Sequence, residues 1–175
     1  MRFAVAGILI IISASGCASI DNSLFAKDTM NAKEHKKVTI KTKDKVKIRL
    51  DHYRYGHSKV IIIAPGFSNS KNAVLMKDLG KSLGNEYDVI LMDFRGHGNS
   101  SGLFFWTSKE CLDLEAVLEY AKKEYRKIGV LGFSLGAAIS LITAPKTDLI
   151  DSLISVSAPT DFNKILSVCI RVHLG

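Results

Sequence analysis

The residues with the clearest chemical potential occupy positions 132–136, which read Gly-Phe-Ser-Leu-Gly. Ser134 follows a short apolar run and precedes a segment of small residues, so it lies at a predicted strand-to-helix turn. A tight turn of this kind strains the serine backbone, projects the hydroxyl clear of the sheet and favours glycine on both sides. The N–H groups at the start of the next helix can then stabilise negative charge beside the serine. The pattern predicts a nucleophilic serine; the alternative is a glycine-rich turn without chemistry.

The elements that must position this turn alternate between strands and helices. An antiparallel hairpin is predicted first, from Lys37–Lys43 and Val46–Tyr53. Four strands, the first of them a solid apolar run typical of a buried strand, and three helices follow, and Thr107–Glu110 has the spacing of a capping box. The predicted strands are Lys59–Ala64, Tyr87–Met92, Ile128–Leu131 and Leu153–Ser157, and the predicted helices are Lys71–Leu83, Ser108–Tyr125 and Leu135–Thr143. Such alternation predicts a parallel sheet with helices on both faces, as in Rossmann-like, flavodoxin-like or hydrolase domains.

Two motifs resemble those of the α/β-hydrolase superfamily. Gly132–Gly136 resembles its nucleophile elbow, and Asp93–Gly102, with the sequence DFRGHGNSSG, resembles the turn after the fourth strand in its serine aminopeptidase and monoglyceride lipase-like branch. The resemblance covers about Lys37 to Phe162, and the leading hairpin favours it over the other two architectures. It implies an α/β-hydrolase fold with a mostly parallel sheet, helices on both faces, an N-terminal antiparallel hairpin and a missing C-terminal part.

The same resemblance implies a serine hydrolase that cleaves ester or amide bonds through an acyl-enzyme, without a cofactor or a metal. Ser134 is its expected nucleophile, and the backbone N–H groups of Phe67 and Leu135 are the expected oxyanion hole. The glycines of Gly96–Gly102 could also suggest a dinucleotide loop, but no helix opens directly from them. We therefore interpret that segment as a structural turn and His97 as a turn residue.

The acid and the histidine of a catalytic triad come after the serine in this superfamily. Here Asp161 follows the last predicted strand, and His173 lies twelve residues beyond it with no visible element to hold it. We expect the fold to be truncated after its sixth strand, by a frameshift or an early stop, and the enzyme to be impaired. The alternative is a non-catalytic, membrane-anchored lipoprotein that retains the fold as a binding module.

The N-terminus has the pattern of an export signal, because a basic start precedes the apolar run Phe3–Ile12. Ala14–Cys17 resembles the lipobox of bacterial lipoproteins, although Ala14 occupies the position where leucine is commonest, and the resemblance implies lipidation of Cys17. An uncleaved membrane span and an ordinary signal peptide are the alternatives, and the apolar run is short for a span. The predicted organisation is a signal peptide at 1–16, a tether at 17–33 and a partial hydrolase domain at 34–175, exported and lipid-anchored to a bacterial membrane.

Composition narrows the remaining function classes. The chain is 47% hydrophobic and 23% charged, which is typical of a globular domain. Its net charge is +7, and the basic stretch Lys33–Lys47 could attract anionic lipid or nucleic acid. We favour the solvated face of a hairpin, because no aromatic residues interrupt the basic ones, and expect no nucleic-acid partner. The expected partner is a small-molecule ester or amide, or a peptide. Cys111 lies on a helical stripe and is predicted to be a small buried hydrophobe.

Overall fold

The computed structural model of the protein describes residues 30–159. The strands are β1 (Glu34–Lys41), β2 (Lys47–Arg54), β3 (Lys59–Ala64), β4 (Asp88–Met92), β5 (Lys127–Phe133) and β6 (Ser152–Val156). The helices are α1 (Val74–Leu83), α2 (Glu110–Lys122) and α3 (Leu135–Thr143), and a short 3-10 turn, Ala144–Lys146, follows α3. Each predicted strand and helix is therefore present. Most of the predicted boundaries differ from the observed ones by one to three residues.

The six strands form one sheet in the order β1-β2-β4-β3-β5-β6. Strand β2 is antiparallel to both of its neighbours, whereas β4, β3, β5 and β6 are mutually parallel. The crossover from β4 to β5 passes over β3 and brings the ends of β3 and β5 side by side, with Ala64 opposite Gly132. The predicted hairpin and mostly parallel sheet are confirmed, and the loops after β3, β4 and β5 all open at the same edge.

Two apolar clusters cover the two faces of the sheet. The larger cluster packs α2 and α3 against one face, and alternate strand residues such as Leu50, Ile62 and Val130 point into it. The smaller cluster packs α1 against the opposite face, around Met76 and Leu91. Solid apolar runs in β3 and β4 follow from this arrangement, because both faces of these central strands are covered. Helices therefore lie on both faces, as predicted.

Local side-chain contacts delay the start of two helices. Lys71 is predicted to begin α1, but its backbone N–H donates to Asp93 Oδ1 at 2.7 Å, and the helix begins at Val74. The predicted capping box at Thr107–Glu110 is wrong, because the N-cap of α2 is Lys109 and no side chain caps it. Glu110 Oε1 instead accepts the N–H of Phe105 at 2.6 Å.

Cys111 is 6% exposed, lies in the larger apolar cluster and is unpaired, so the prediction of a small buried hydrophobe is confirmed. The predictions for Cys17, Asp161 and His173 fall outside the described residues. Of the helices at residues 30–159, none combines the length and the apolar character that crossing a bilayer requires.

Candidate active site

Ser134 occupies a strained turn between β5 and α3. Its backbone has φ +48° and ψ −111°, a conformation that non-glycine residues rarely adopt. The turn is held from both sides, because the Ser134 N–H donates to Val156 O at 2.8 Å and its carbonyl accepts the Ala138 N–H at 3.1 Å. The side chain is exposed at the edge of the sheet where the strand ends meet. Strain of this kind accumulates at functional sites, where the surrounding structure maintains it.

Gly132 and Gly136 permit the close packing around this turn. A Cβ on Gly132 would lie 2.6 Å from Ala137 Cα, so β5 and α3 meet too tightly for any side chain there. A Cβ on Gly136 would lie 2.3 Å from the carbonyl oxygen of Ala64, at the end of β3. Both obstructions are backbone atoms, which cannot rotate away as a side chain can. The two glycines therefore set how close α3 lies to the loop after β3.

That loop contacts the serine directly. A Cβ on Gly66 would lie 3.3 Å from Ser134 Cβ and 3.9 Å from Ser134 Oγ, so Gly66 packs against the serine side chain. Within the described part of the chain, no group accepts a hydrogen bond from the N–H of Phe67 or of Leu135. Phe67 follows Gly66 and Leu135 follows Ser134, and the assignment of their N–H groups to an oxyanion hole stays a prediction.

Asp93 fastens the loop after β3 to the loop after β4. Its fully buried carboxylate accepts the N–H of Lys71 at 2.7 Å and the N–H of Asn99 at 2.9 Å. Burial raises the pKa of Asp93, and the two N–H donors oppose that rise. Gly98 lies against the carboxylate, since a Cβ there would be 2.3 Å from Asp93 Oδ2. The segment Gly96–Gly102 therefore wraps around the Asp93 side chain, in agreement with its interpretation as a structural turn.

Arg95, from the same segment, anchors the loop after β4 to α2 and to the β1–β2 turn. It is 1% exposed, and its Nε and Nη2 donate to Asp113 Oδ1 at 2.9 and 2.7 Å. On the other side, Nη1 donates to Asp44 Oδ2 at 2.7 Å. The hydrogen bond from Arg95 lowers the pKa of Asp44 to about 2. These contacts hold the loop after β4 against α2 and the β1–β2 turn.

Four aromatic rings from the loops after β3 and β4 pack against one another. Only one of these residues, Phe67, is assigned to the site from the sequence. Phe67 stacks on Trp106 at 5.1 Å between ring centroids and contacts Phe104 at 5.2 Å and His97 at 5.5 Å. Phe104 also packs edge-on against Trp106 at 4.9 Å and His97 at 5.1 Å. We call these four rings, Phe67, His97, Phe104 and Trp106, the aromatic cluster. A signal existed, because the apolar run at 103–106 is too short for a helix and follows a glycine turn.

The described residues supply no base for the serine. Within residues 30–159, no side chain is hydrogen-bonded to the Ser134 hydroxyl. His52 lies in the core between the hydroxyls of Tyr120 and Tyr125, at 2.9 and 2.7 Å, and burial lowers its pKa to about 4. His97 contacts the carbonyl of Arg95 at 3.1 Å through Nδ1. In the same range, no group of three or more histidine, cysteine or acidic residues is arranged to hold a metal ion.

Comparisons with known proteins identify the relatives of this arrangement. Residues 59–168 match the family described as the alpha/beta hydrolase fold. The chain is 30% identical to the Pyrococcus furiosus esterase Pf2001 over 79% of its own length and 57% of the esterase, with a TM-score of 0.74.

Two further solved structures are similar. A Pseudomonas putida N-formylmaleamic acid deformylase is 26% identical, with a TM-score of 0.61, over 72% of this chain and 48% of that one. A lidless α/β serine hydrolase of Xanthomonas campestris is 23% identical over 73% of this chain and 62% of that one, with a TM-score of 0.63, and supports the fold alone. The chain thus spans about half to three fifths of the length of these relatives.

Proposed function

Because the chain belongs to the α/β-hydrolase fold family, we propose that it carries the nucleophile and the oxyanion hole of a serine hydrolase acting on carboxylic esters or amides. The observation that supports this most directly is the exposed Ser134 on a strained turn, with Gly66 packed against its side chain. The combination of φ +48° and ψ −111° lies outside the left-handed α region, and outliers of this kind cluster at functional sites. The 30% identity to a protein described as an esterase agrees with this chemistry.

The proposed reaction proceeds through an acyl-enzyme. Ser134 Oγ attacks the carbonyl carbon, its proton passes to a base, and the carbonyl oxygen becomes an oxyanion. The N–H groups of Phe67 and Leu135 donate to that oxyanion, and removal of one such donor typically slows a serine hydrolase by about 100- to 1,000-fold. The tetrahedral intermediate expels the alcohol or amine, and water then releases the acid.

The base and the acid of this reaction belong to residues outside 30–159. Asp161 and His173 follow Ser134 in the sequence, but no predicted element holds His173, and from the sequence we expect the acid and the histidine of the triad to be absent and the enzyme to be impaired. An alternative is that the fold is retained as a non-catalytic binding module. The two differ in whether Ser134 is activated, because an unassisted serine hydroxyl reacts slowly with electrophiles.

The test is covalent labelling of the full chain with a fluorophosphonate, which reacts with activated serines. We expect slow labelling of the wild type, because the triad is predicted to be incomplete, and none of Ser134→Ala. Ser82→Ala is the matched control, because Ser82 is an exposed helical serine whose hydroxyl donates to Asp78 O at 3.0 Å. Labelling that persists in Ser134→Ala contradicts the assignment of the nucleophile. A well-folded wild type that does not label supports the binding-module alternative.

We also propose that the protein is exported and anchored to a bacterial membrane through a lipid on Cys17. The support is the sequence alone, in which a basic start, an apolar run and Ala14–Cys17 stand in the order of a lipoprotein signal. Stable anchoring requires two or more acyl chains, since a single chain holds a protein only marginally.

Growth with an alkyne-labelled palmitate in a bacterial host tests this anchor. We expect labelling that is lost in Cys17→Ser and retained in Cys111→Ser, the control in which a buried cysteine is replaced. Equal labelling of the wild type and Cys17→Ser would contradict the proposal.

A further inference from the structure

The aromatic cluster lies in a partly exposed apolar patch. Phe67 is 48% exposed, the other three rings are half-buried, and the neighbouring Phe105 and Leu103 are 40% and 74% exposed. Of the four rings, only Phe104 packs against either apolar cluster of the sheet. Phe67, His97 and Trp106 therefore contact chiefly one another and solvent. Exposed apolar patches of this kind mark binding surfaces more often than isolated exposed residues do.

The backbone on both sides of the cluster is held in the left-handed region. Trp106 has φ +49° and Thr107 has φ +77°, and on the other loop Ser68, next to Phe67, has φ +57°. None of the three is a glycine, so each position is disfavoured in an unstrained chain. The fold therefore holds both loops in unfavourable conformations that keep Phe67 and Trp106 stacked.

The cluster is continuous with the nucleophile through a single residue. Phe67 contributes its ring to the cluster and its backbone N–H to the proposed oxyanion hole, while Gly66 packs on Ser134. A carbonyl group held by Ser134 and that N–H would therefore be bound by the same residue that carries a ring of the cluster. Any substituent that extends toward the loop after β4 then meets the faces and edges of Trp106 and Phe104.

We infer that the aromatic cluster is the binding wall for an uncharged, apolar acyl group of the substrate, an inference that rests on the proposed function. In the described residues, no lysine or arginine makes a cation–π contact with any of the four rings. The nearest such contact in this loop is Lys109, whose Nζ lies 4.3 Å from the centroid of the Phe105 ring. Aromatic walls bind aliphatic chains through area and dispersion and bind rings by stacking. The substrate class is therefore esters or amides of aliphatic or aromatic acids, in preference to acetyl or charged groups.

Trp106 makes the binding step observable without catalysis, because it is the only tryptophan of the chain. The experiment titrates Ser134→Ala, which cannot form an acyl-enzyme at this position, with methyl octanoate and with methyl acetate. Tryptophan emission is followed during each titration. Each methylene moved from water to an apolar contact is worth about a fourfold change in affinity. We expect a saturable emission change with methyl octanoate at a midpoint at least about tenfold below that of methyl acetate.

Variants of the wall identify where the ester binds. Phe67→Ala keeps the backbone N–H and the Trp106 reporter, and we expect it to weaken methyl octanoate binding about fivefold or more. Leu75→Ala is the matched control, since Leu75 is 54% exposed on α1, away from the cluster. Phe67→Leu, which retains apolar area, is expected to bind more tightly than Phe67→Ala if both fold as the wild type does by circular dichroism.

The outcomes separate this inference from the proposed function. If binding depends on acyl chain length but the wild type is not labelled by the fluorophosphonate, the apolar site is supported and the proposed hydrolase activity is contradicted. If Ser134 is labelled but the two esters bind with equal midpoints, or Phe67→Ala binds methyl octanoate as the wild type does, the apolar site is contradicted and the proposed hydrolase activity is supported. An emission change that follows protein concentration without ester, or that phosphatidylcholine vesicles alone produce, also overturns it, because the rings would then contact a second copy or a membrane.

Discussion

Arg95 is buried between α2 and the β1–β2 turn, and its replacement by methionine should destabilise the fold strongly. The guanidinium makes two hydrogen bonds to Asp113, whose side chain is 0% exposed. A hydrogen bond to a charged group contributes about 1.5–3 kcal/mol, so losing two predicts about 3–6 kcal/mol. Breaking a buried ion pair typically costs about 3–5 kcal/mol, which agrees. The pair with Asp44, which is 32% exposed, adds less than about 1 kcal/mol.

Urea unfolding followed by circular dichroism measures this loss in the free energy of unfolding. Arg49→Met is the matched control, because Arg49 is exposed on β2 and its replacement should change stability by less than about 0.5 kcal/mol. Adding Asp113→Leu to Arg95→Met should restore much of the loss, since no uncompensated charge then stays buried. A single variant within about 1 kcal/mol of the wild type would show that Arg95 does not anchor the loop. A double variant no more stable than the single would refute the buried-charge explanation.

Two further predictions concern the core and the elbow. Burial lowers the pKa of His52 to about 4, against about 6.5 in an unfolded chain, so its contribution to stability is complete above pH 6.5. As the pH falls to about 4, that contribution is lost and the free energy of unfolding decreases by about 3 kcal/mol. Urea unfolding at several pH values should show this decrease for the wild type and not for His52→Gln. Equal pH dependence of the free energy of unfolding in the two proteins would contradict the prediction. Gly136→Ala forces a Cβ to within 2.3 Å of Ala64 O, so it should cost about 1–3 kcal/mol and abolish fluorophosphonate labelling. Gly66→Ala, whose nearest contact is 3.3 Å, should cost less, and full labelling of Gly136→Ala would contradict the steric account.

The sequence predicted the centre of the sheet well because β3 and β4 are buried on both faces, whereas β6 at the edge has no buried residue. The run Lys59–Ala64 coincides with β3 to the residue, and Leu135–Thr143 coincides with α3. Continuous apolar runs bounded by Pro-Gly or Gly signals leave few alternatives. The elbow at Gly132–Gly136 was equally predictable from the sequence. Its glycines are required by close backbone contacts, and such contacts recur wherever a strand turns sharply into a helix.

The sequence could not predict contacts made between distant side chains. Lys71 fits the apolar period of α1, but its N–H is drawn to Asp93, a residue that the fold brings close from the next strand. Glu110 fits a capping box, but the loop before α2 turns back and offers the N–H of Phe105 instead. Both errors arise where a buried carboxylate could accept a hydrogen bond from any of several backbone N–H groups. A local sequence pattern does not indicate which of these donors the folded chain brings to the carboxylate.

The aromatic cluster escaped prediction for a related reason, and its position has a consequence for how the site works. Its rings come from the loops after β3 and β4, which are adjacent in space only because the crossover places β3 beside β4 in the sheet. The Asp93 carboxylate joins the same two loops by accepting hydrogen bonds from the N–H groups of Lys71 and Asn99. Since Phe67 carries both a ring of the cluster and the N–H beside Ser134, any shift between these loops moves the apolar wall and the oxyanion donor together. In the reaction that we propose, substrate binding and oxyanion stabilisation would therefore be coupled through Phe67 and through the Asp93 carboxylate that fixes its loop.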